Sequence, residues 1–262
     1  MKKQGIVVFF LALVFAGALV YASLLQAAEI ISLEGNVQVQ SAGDTAWSRA
    51  GEGMRINAGD SLRTARGSGA VIALDAARMN TAKIDELTMV VLNSATPGMI
   101  DRFDLSEGKV YANVESIRSG LTFEVSTPSS VAGVRGTGYS VDSNRDMDEV
   151  SVFRNEIFVK AFDQNKNLIK EITVPEGFKT LVERFQGPSD LVKLTDNEKN
   201  RWNDIRREMA GRMQKGKGIE DIKEQIGDLE ETMEEMKDAK DLIEERGTEE
   251  YIGEEEECEE MH

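Results

Sequence analysis

The sequence of 262 residues has very few of the residues on which most catalytic and metal sites depend. Its one histidine is the last residue, His262, and its one cysteine is Cys258. This excludes Ser-His-Asp and Cys-His catalysis, histidine-bound zinc, an intramolecular disulfide and an all-cysteine metal site. We therefore expect a protein that is not an enzyme, with no catalytic residues, no metal and no cofactor.

Proline is also scarce, with 4 residues against 23 glycines, which favours tight turns over rigid linkers. The net charge is −16, and residues 195–262, with 24 acidic and 11 basic residues, contribute −13 of it. Because an acidic protein repels phosphate groups, we expect no nucleic acid partner. The hydrophobic content of 40% is sufficient for a packed core.

Residues 1–27 have the pattern of an export signal. The pair Lys2-Lys3 precedes an apolar run over residues 5–25, and small residues suited to cleavage stand at Ala22 and Ala27. The segment is either a cleaved signal peptide or an uncleaved anchor in the inner membrane, because about 20 apolar residues can span a bilayer. In both cases we expect the rest of the chain to be periplasmic or otherwise extracytoplasmic, with no cytoplasmic domain before it.

Residues 29–185 alternate apolar and polar side chains in short runs, as in Leu121–Val125 and Val150–Val152. This period of two predicts half-buried strands. Glycines separate the runs at intervals of roughly 8 to 16 residues, which is typical of a sandwich, a barrel or a β-solenoid.

Three elements in this region occur in a recognisable order. They are a GD-x-L-R-T element (Gly59–Thr64), an L-x-x-G-x-V element (Leu105–Val110) and a V-x-T-P…V-R-G-T-x-Y-x-V element (Val125–Val141). In these motifs the chain resembles the FecR family, the periplasmic part of ferric-citrate-type signalling regulators, over about residues 30–162. The resemblance implies a twisted, β-solenoid-like domain outside the cytoplasmic membrane.

The pattern also departs from the family. Residues 75–80 replace an acidic-glycine turn, and Asn155 stands where a late turn has glycine. The family's cytoplasmic domain, which binds a sigma factor, has no counterpart before the apolar run. Direct control of a sigma factor is therefore not implied.

The resemblance implies a set of family-motif residues with a mainly structural role. Asp60 and Thr64 suit turn stabilisation, with ligand contact as the alternative. Arg135 suits either an internal ion pair or the binding of a carboxylate or phosphate. The full set is Gly59, Asp60, Arg63, Thr64, Gly108, Arg135, Gly136 and Thr137.

Two further features have a functional alternative. Trp47 is either a cap on the core or a platform for a sugar ring. A set of acidic residues is either a solvated strand surface or a source of paired glycosidase carboxylates, although their spacing selects no pair. These acids are Glu52, Asp75, Asp85, Glu86, Asp101 and Asp104.

Residues 194–246 predict a helical hairpin or coiled coil. Thr195 and Glu198 form a capping-box pattern at the start of a first helix, which runs to about Met213. Its apolar face carries Trp202 and Met209, which the hairpin places against the second helix.

The second helix is predicted over residues 219–246 from a strict heptad. Its last apolar positions, Met233, Met236 and Ile243, extend beyond the first helix, so we expect them to mediate self-association or partner binding. Residues 247–262 are mostly glutamate and are predicted to be a disordered acidic tail.

These observations favour an exported, non-enzymatic module that binds or assembles with another envelope protein or a glycan. One alternative is a β-solenoid enzyme acting on polysaccharide, which rests on fold analogy alone. The other is the periplasmic half of a split sigma/anti-sigma signalling system.

Overall fold

The computed structural model describes residues 28–75, 78–94, 100–115, 122–134 and 136–215. These ranges contain seventeen strands and one helix, so the expectation of a mainly β protein with a helix after it is confirmed. In chain order the elements are β1 (Ala28–Glu34), β2 (Val37–Gln40), β3 (Ser48–Arg49), β4 (Arg55–Ile56), β5 (Ser61–Thr64), β6 (Gly69–Ala73), β7 (Asn80–Ile84), β8 (Met89–Asn93), β9 (Arg102–Val114), β10 (Phe123–Ser126), β11 (Ser130–Val134), β12 (Gly138–Ser143), β13 (Met147–Arg154), β14 (Glu156–Phe162), β15 (Leu168–Pro175), β16 (Phe178–Glu183), β17 (Val192–Lys193) and α1 (Asp196–Lys215).

The strands form two sheets. Sheet A has the spatial order β4-β1-β6-β7-β9-β12-β13-β16-β17, and all of its neighbouring strands are antiparallel. Sheet B has the order β3-β2-β5-β8-β9-β10-β11-β14-β15, in which β9 and β10 are parallel and the other pairs antiparallel. Among the described strands neither sheet closes on itself, and the structure does not confirm a solenoid, which stacks successive turns of chain through parallel strands.

Strand β9 belongs to both sheets. Its first half, to Glu107, pairs with β8 in sheet B, and its second half, from Gly108, pairs with β7 and β12 in sheet A. The backbone bends at Gly108, where φ is +101°. A Cβ atom at this position would overlap Thr88, so both the backbone angle and the close approach require glycine.

The main core lies between the two sheets. In several strands alternate residues point inward, as in β14, where Ile157 and Val159 are fully buried and Phe158 between them is exposed. Phe103 and Phe123 meet edge to face in this core, with ring centroids 5.2 Å apart. In such strands the predicted period of two identified the inward-facing side chains.

Helix α1 lies on the outer face of sheet A. Its buried residues Trp202, Ile205 and Met209 pack against Val71 of β6 and Tyr111 of β9 and form a second, smaller apolar cluster. In the part of the chain that the structure describes, no helix has the length and apolar character needed to cross a bilayer.

The helical hairpin is not confirmed. Its second helix and the acidic tail lie outside the described residues, as do the proposed interaction residues Met233, Met236 and Ile243. The apolar face of the first helix, which the hairpin assigned to the second helix, packs on the sheet instead.

Candidate functional site

The GD-x-L-R-T element contains a turn that is closed by hydrogen bonds to the side chain of Asp60. The carboxylate of Asp60, a buried group, accepts hydrogen bonds from the backbone N–H of Ala42 at 2.9 Å and of Asn57 at 2.8 Å. The N–H of Gly59 donates to the carbonyl of Leu92 at 2.6 Å. Asp60 therefore has its oxygens occupied by the backbone, as in an Asx turn.

Arg63 is an exposed residue of β5 in sheet B. Its guanidinium lies 4.1 Å from the ring centroid of Trp47, and its Nε donates to Oε1 of Gln38 at 2.8 Å. Trp47 is therefore neither a cap on the core nor a free platform, because Arg63 stacks on its ring.

Thr64 and Gly108 contact the same residue, Thr88. The hydroxyl of Thr64 accepts a hydrogen bond from the N–H of Thr88 at 3.0 Å and donates to the carbonyl of Asp85 at 2.6 Å. The hydroxyl of Thr88 in turn accepts from the N–H of Lys109 at 2.9 Å. This connects the first two family motifs where β9 crosses between the sheets.

The third motif forms another turn. Gly136 has a φ of +82° and its carbonyl accepts a hydrogen bond from Asn155 at 2.7 Å. The buried Thr137 donates to the carbonyl of Glu156 at 3.3 Å. Arg135 lies outside the described residues. The described motif residues are thus distributed over several turns and do not converge on one pocket.

Several of the acidic residues considered as glycosidase carboxylates have individual structural partners. Asp85 pairs with Arg201 at 3.0 Å and Asp104 with Arg102 at 2.8 Å. Asp75 accepts from the N–H of Asn80 at 2.9 Å. Among the described residues, no cluster of three potential metal ligands is found.

A buried carboxylate that the sequence did not single out is Asp148. One oxygen accepts hydrogen bonds from the hydroxyls of Thr127 (2.5 Å), Ser129 (2.9 Å) and Ser130 (2.9 Å). Arg184 Nη1 lies 3.6 Å from the other oxygen. The network joins the T-P-x-S part of the third motif to β13 and to Arg184, the residue after β16, and it compensates the charge of a side chain with no exposed surface.

The most extensive arrangement outside the core is the docking of α1. The indole of Trp202 stacks on the ring of Phe153, with centroids 4.8 Å apart and planes 5° from parallel. The same indole covers Gly138, where a Cβ atom would come within 2.5 Å of its Cζ2. Tyr111 and Val71 continue the apolar strip toward Met209. A glycine under the indole is thus what allows the helix to approach the sheet.

Ion pairs flank this apolar strip. Lys83 contacts Glu208 at 2.5 Å in the second half of α1, and Lys179 contacts Glu198 at 2.7 Å in its first turn. Lys179 also pairs with Glu149 of the sheet at 2.8 Å. Ion pairs therefore fasten both the first turn and the second half of the helix to the sheet.

The predicted capping box is present at the start of α1. Glu198 accepts hydrogen bonds from the N–H and the hydroxyl of Thr195, both at 2.7 Å, and its own N–H donates to that hydroxyl at 3.3 Å. Partial burial acts to raise the pKa of Glu198, but the hydrogen bonds from Lys179 and Thr195 outweigh it and lower that pKa to about 2. One carboxylate therefore both caps the helix and fastens it to the sheet.

The fold and these contacts define a two-sheet β domain that carries a docked C-terminal helix. Residues 60–158 match the family model described as FecR protein. This part of the chain is therefore a FecR domain, which confirms the resemblance.

Two crystal structures of a proposed anti-sigma factor from Parabacteroides distasonis ATCC 8503 are similar to this chain. In each comparison the sequence identity is 16%, the TM-score is 0.40, and the match covers 52% of this chain. This chain spans 59% of the length of those structures. No curated protein matches the chain.

Proposed function

We propose that the protein is a non-enzymatic FecR-domain module that acts in envelope signalling or assembly by binding another protein. The family match supports a regulatory role. The observation that carries the proposal is the docking of α1, whose apolar strip and flanking ion pairs fix a charged helix on the sandwich surface. Sheet A and α1 together offer a partner one preformed surface.

The export pattern of residues 1–27 supports a position outside the cytoplasm, in the periplasm or on the inner membrane. N-terminal sequencing of the native protein tests this proposal. A start at Ser23, Ala28 or Glu29 indicates a cleaved signal peptide, and an intact Met1 indicates an anchor. Recovery of the protein from the cytoplasm would contradict it.

The binding role can be tested by cross-linking the full chain in its native envelope and identifying the attached proteins by mass spectrometry. We expect one defined partner that persists in Asn203→Ala, an exposed position on α1, and is weakened in Trp202→Ala, which removes the central docking contact. Absence of any specific cross-linked protein would contradict the proposal. Release of sugars from envelope polysaccharide by the purified protein would favour the enzymatic alternative instead.

The C-terminal segment is proposed to add a second contact through Met233, Met236 and Ile243. A truncation that tests it must retain α1, because removal of the helix exposes Tyr111 and Val71. We therefore compare the sedimentation of the full chain with that of a chain ending at Lys215. If both are monomers and keep the same partner, the segment has neither role.

A further inference from the structure

A row of four side chains crosses the outer face of sheet B, the layer opposite to the one on which α1 packs. The register places Gln38 of β2 between Arg49 of β3 and Arg63 of β5, and Arg63 in turn lies opposite Met89 of β8. Residues opposite each other in antiparallel strands point to the same face. Leu62, the residue before Arg63, is fully buried, so this arginine row (Arg49, Gln38, Arg63 and Met89) faces away from the core.

The guanidinium of Arg63 is held in place on two sides. Its Nε donates to Oε1 of Gln38 at 2.8 Å, and the ring of Trp47 lies against it at 4.1 Å. The Nη1 and Nη2 groups, which carry four of the five N–H donors of an arginine, have no acceptor in the part of the chain that the structure describes. A guanidinium fixed in this way loses little side-chain entropy when it binds a ligand.

The positive charge of the row has no ion-pair partner. Among the described residues, no carboxylate pairs with Arg49 or Arg63. Two acidic residues approach the row along the chain or the register. Asp44 accepts two backbone N–H groups of its own loop, and Glu107 lies on the far side of Met89. The row therefore presents two guanidinium groups to a ligand with carboxylates.

The composition of the row favours a protein as the source of those carboxylates. Arginine, tryptophan and methionine are the residues enriched where proteins bind proteins. A carbohydrate would need a free aromatic face, whereas Arg63 lies on the ring of Trp47. Nucleic acids and anionic membranes are repelled by a chain with a net charge of −16.

The spacing of the row matches an extended polypeptide. Neighbouring strands are about 4.8 Å apart, so Arg49 and Arg63 are separated by about 10 Å and Met89 lies about 5 Å further on. In an extended chain every second side chain points to the same side, at intervals of about 6.8 Å. An acidic-x-acidic-x-apolar segment thus brings two carboxylates within reach of the arginines and an apolar side chain to Met89, which is 42% exposed.

We infer that the arginine row binds an extended acidic segment of a partner protein, with one carboxylate on the Nη groups of Arg63 and a second on Arg49. The inference rests on the proposed binding function and adds a contact on the sheet opposite to α1. The fixed guanidinium of Arg63 binds its carboxylate through two parallel hydrogen bonds, and Arg49 adds charge attraction. Because the row is exposed, binding weakens as the salt concentration rises.

The experiment measures fluorescence polarisation of a labelled peptide, Ser-Glu-Ser-Glu-Ser-Leu-Ser, with the full chain. We expect Arg63→Ala to weaken binding about ten-fold or more, as for the loss of hydrogen bonds to a charged group. Arg63→Lys keeps the charge without the planar pair of donors and should still weaken binding at least about three-fold. The matched control, Arg145→Ala, removes the same charge from an exposed turn of sheet A and should change the affinity less than about two-fold.

Three results would overturn the inference. They are the absence of binding to the unmodified chain, an equal loss in Arg63→Ala and Arg145→Ala, and full affinity in Arg63→Lys. Circular dichroism confirms that each variant folds. The indole N–H resonances give a second readout: that of Trp47 should shift on addition of the peptide, and that of Trp202, which is buried under α1, should not. A shift of Trp202 alone would place the peptide on sheet A and contradict the inference.

Two other sources of carboxylates are tested in the same assay. If polygalacturonate displaces the peptide at an equal or lower concentration of carboxylate groups, the row is a glycan site and the assignment to a protein is wrong. The chain's own glutamate-rich residues 248–260 are the other source. If a chain ending at Gly247 binds the peptide and the full chain does not, the row is occupied in cis and the inference of a partner segment is wrong.

Cross-linking in the native envelope separates this inference from the proposed function. Failure to capture a partner, with peptide binding at the row intact, would count against the proposed function and not against the row. A partner captured in equal yield by the unmodified chain and by Arg63→Ala would count against the row alone.

Discussion

Trp202 of α1 and Phe153 of β13 lie face to face, with ring centroids 4.8 Å apart and planes 5° from parallel. They are 49 positions apart in the sequence; the sequence analysis placed Trp202 on the apolar face of the first helix and did not single out Phe153. The stack occupies the centre of the surface by which the helix contacts the sheet, and the edge of the same indole lies over Gly138. The strength of helix docking therefore depends on the space above a single glycine.

Substitution of that glycine should displace the helix. In Gly138→Ala the new Cβ atom would lie 2.5 Å from Cζ2 of Trp202, and we expect destabilisation of about 1–3 kcal/mol from overpacking. The measurement is urea unfolding followed by tryptophan fluorescence. The matched control is Gly133→Ala, whose Cβ atom meets Glu124 at an ordinary 3.6 Å and should change stability by less than about 0.5 kcal/mol. Equal effects would show that the indole is not the limiting contact.

Substitution of Gly108 at the bend in β9 is expected to destabilise the protein more than substitution of Gly138. Gly108→Ala adds backbone strain at a φ of +101° to an overlap with Thr88, so we expect a loss of about 3 kcal/mol or more in unfolding free energy. Gly53→Ala is the control for strain alone, because Gly53 has a φ of +76° with open space around it, and should cost about 1–2 kcal/mol. If thermal denaturation gives the two variants the same stability, the contact with Thr88 is relaxed at no cost.

Docking of α1 should depend on pH through Glu198. Its pKa is lowered from 4.5 to about 2 in the folded protein, so the associated stability is fully present above pH 4.5 and is lost as pH falls toward 2. In Glu198→Gln this contribution is absent at every pH. We therefore expect the difference in melting temperature between the unmodified chain and this variant to shrink between pH 4.5 and 2. A difference that stays constant over that range would contradict the assignment.

The hydroxyl network around Asp148 should be essential for stability. Asp148→Asn keeps the shape of the side chain but removes the charge that Arg184 and the hydroxyl donors surround, and we expect a cost of about 3 kcal/mol. Asp142→Asn is the comparison, because Asp142 pairs with Lys109 at the surface and should contribute less than about 1 kcal/mol. Chemical denaturation of both variants measures the difference. An equal, small effect would show that the hydroxyls alone satisfy this site.

The sequence predicted the local features of this fold and missed the long-range ones. Alternation of side chains along a strand reports which face is buried, and the Thr195–Glu198 pattern reports where a helix begins, because both depend on neighbours a few residues apart. The order of the strands depends on pairings such as that of β1 with β6, which no local pattern encodes.

The same limit explains why the sequence analysis paired the first helix with a second helix and not with the sheet. An apolar stripe containing Trp202 and Met209 shows that one face of a helix is covered, but it does not show by what. The heptad pattern after the first helix favoured a second helix as the partner of this face. In the structure, Phe153 and Tyr111 on the outer face of sheet A cover it. The sequence did contain a signal for this packing: Phe153 of β13 and Tyr111 of β9 are aromatic residues on the outer face of a sheet, and a solvated sheet face seldom carries them.

The crossing of β9 from one sheet to the other has a consequence for how the domain opens. A sandwich with separate sheets can lose one layer while the other persists, but here thirteen consecutive residues, Arg102–Val114, are hydrogen-bonded into both layers. Separation of the layers requires this strand to detach either from β8 and β10 or from β7 and β12. The amide hydrogens of β9 should consequently be among the last to exchange with heavy water, and the two layers should open as a single cooperative unit.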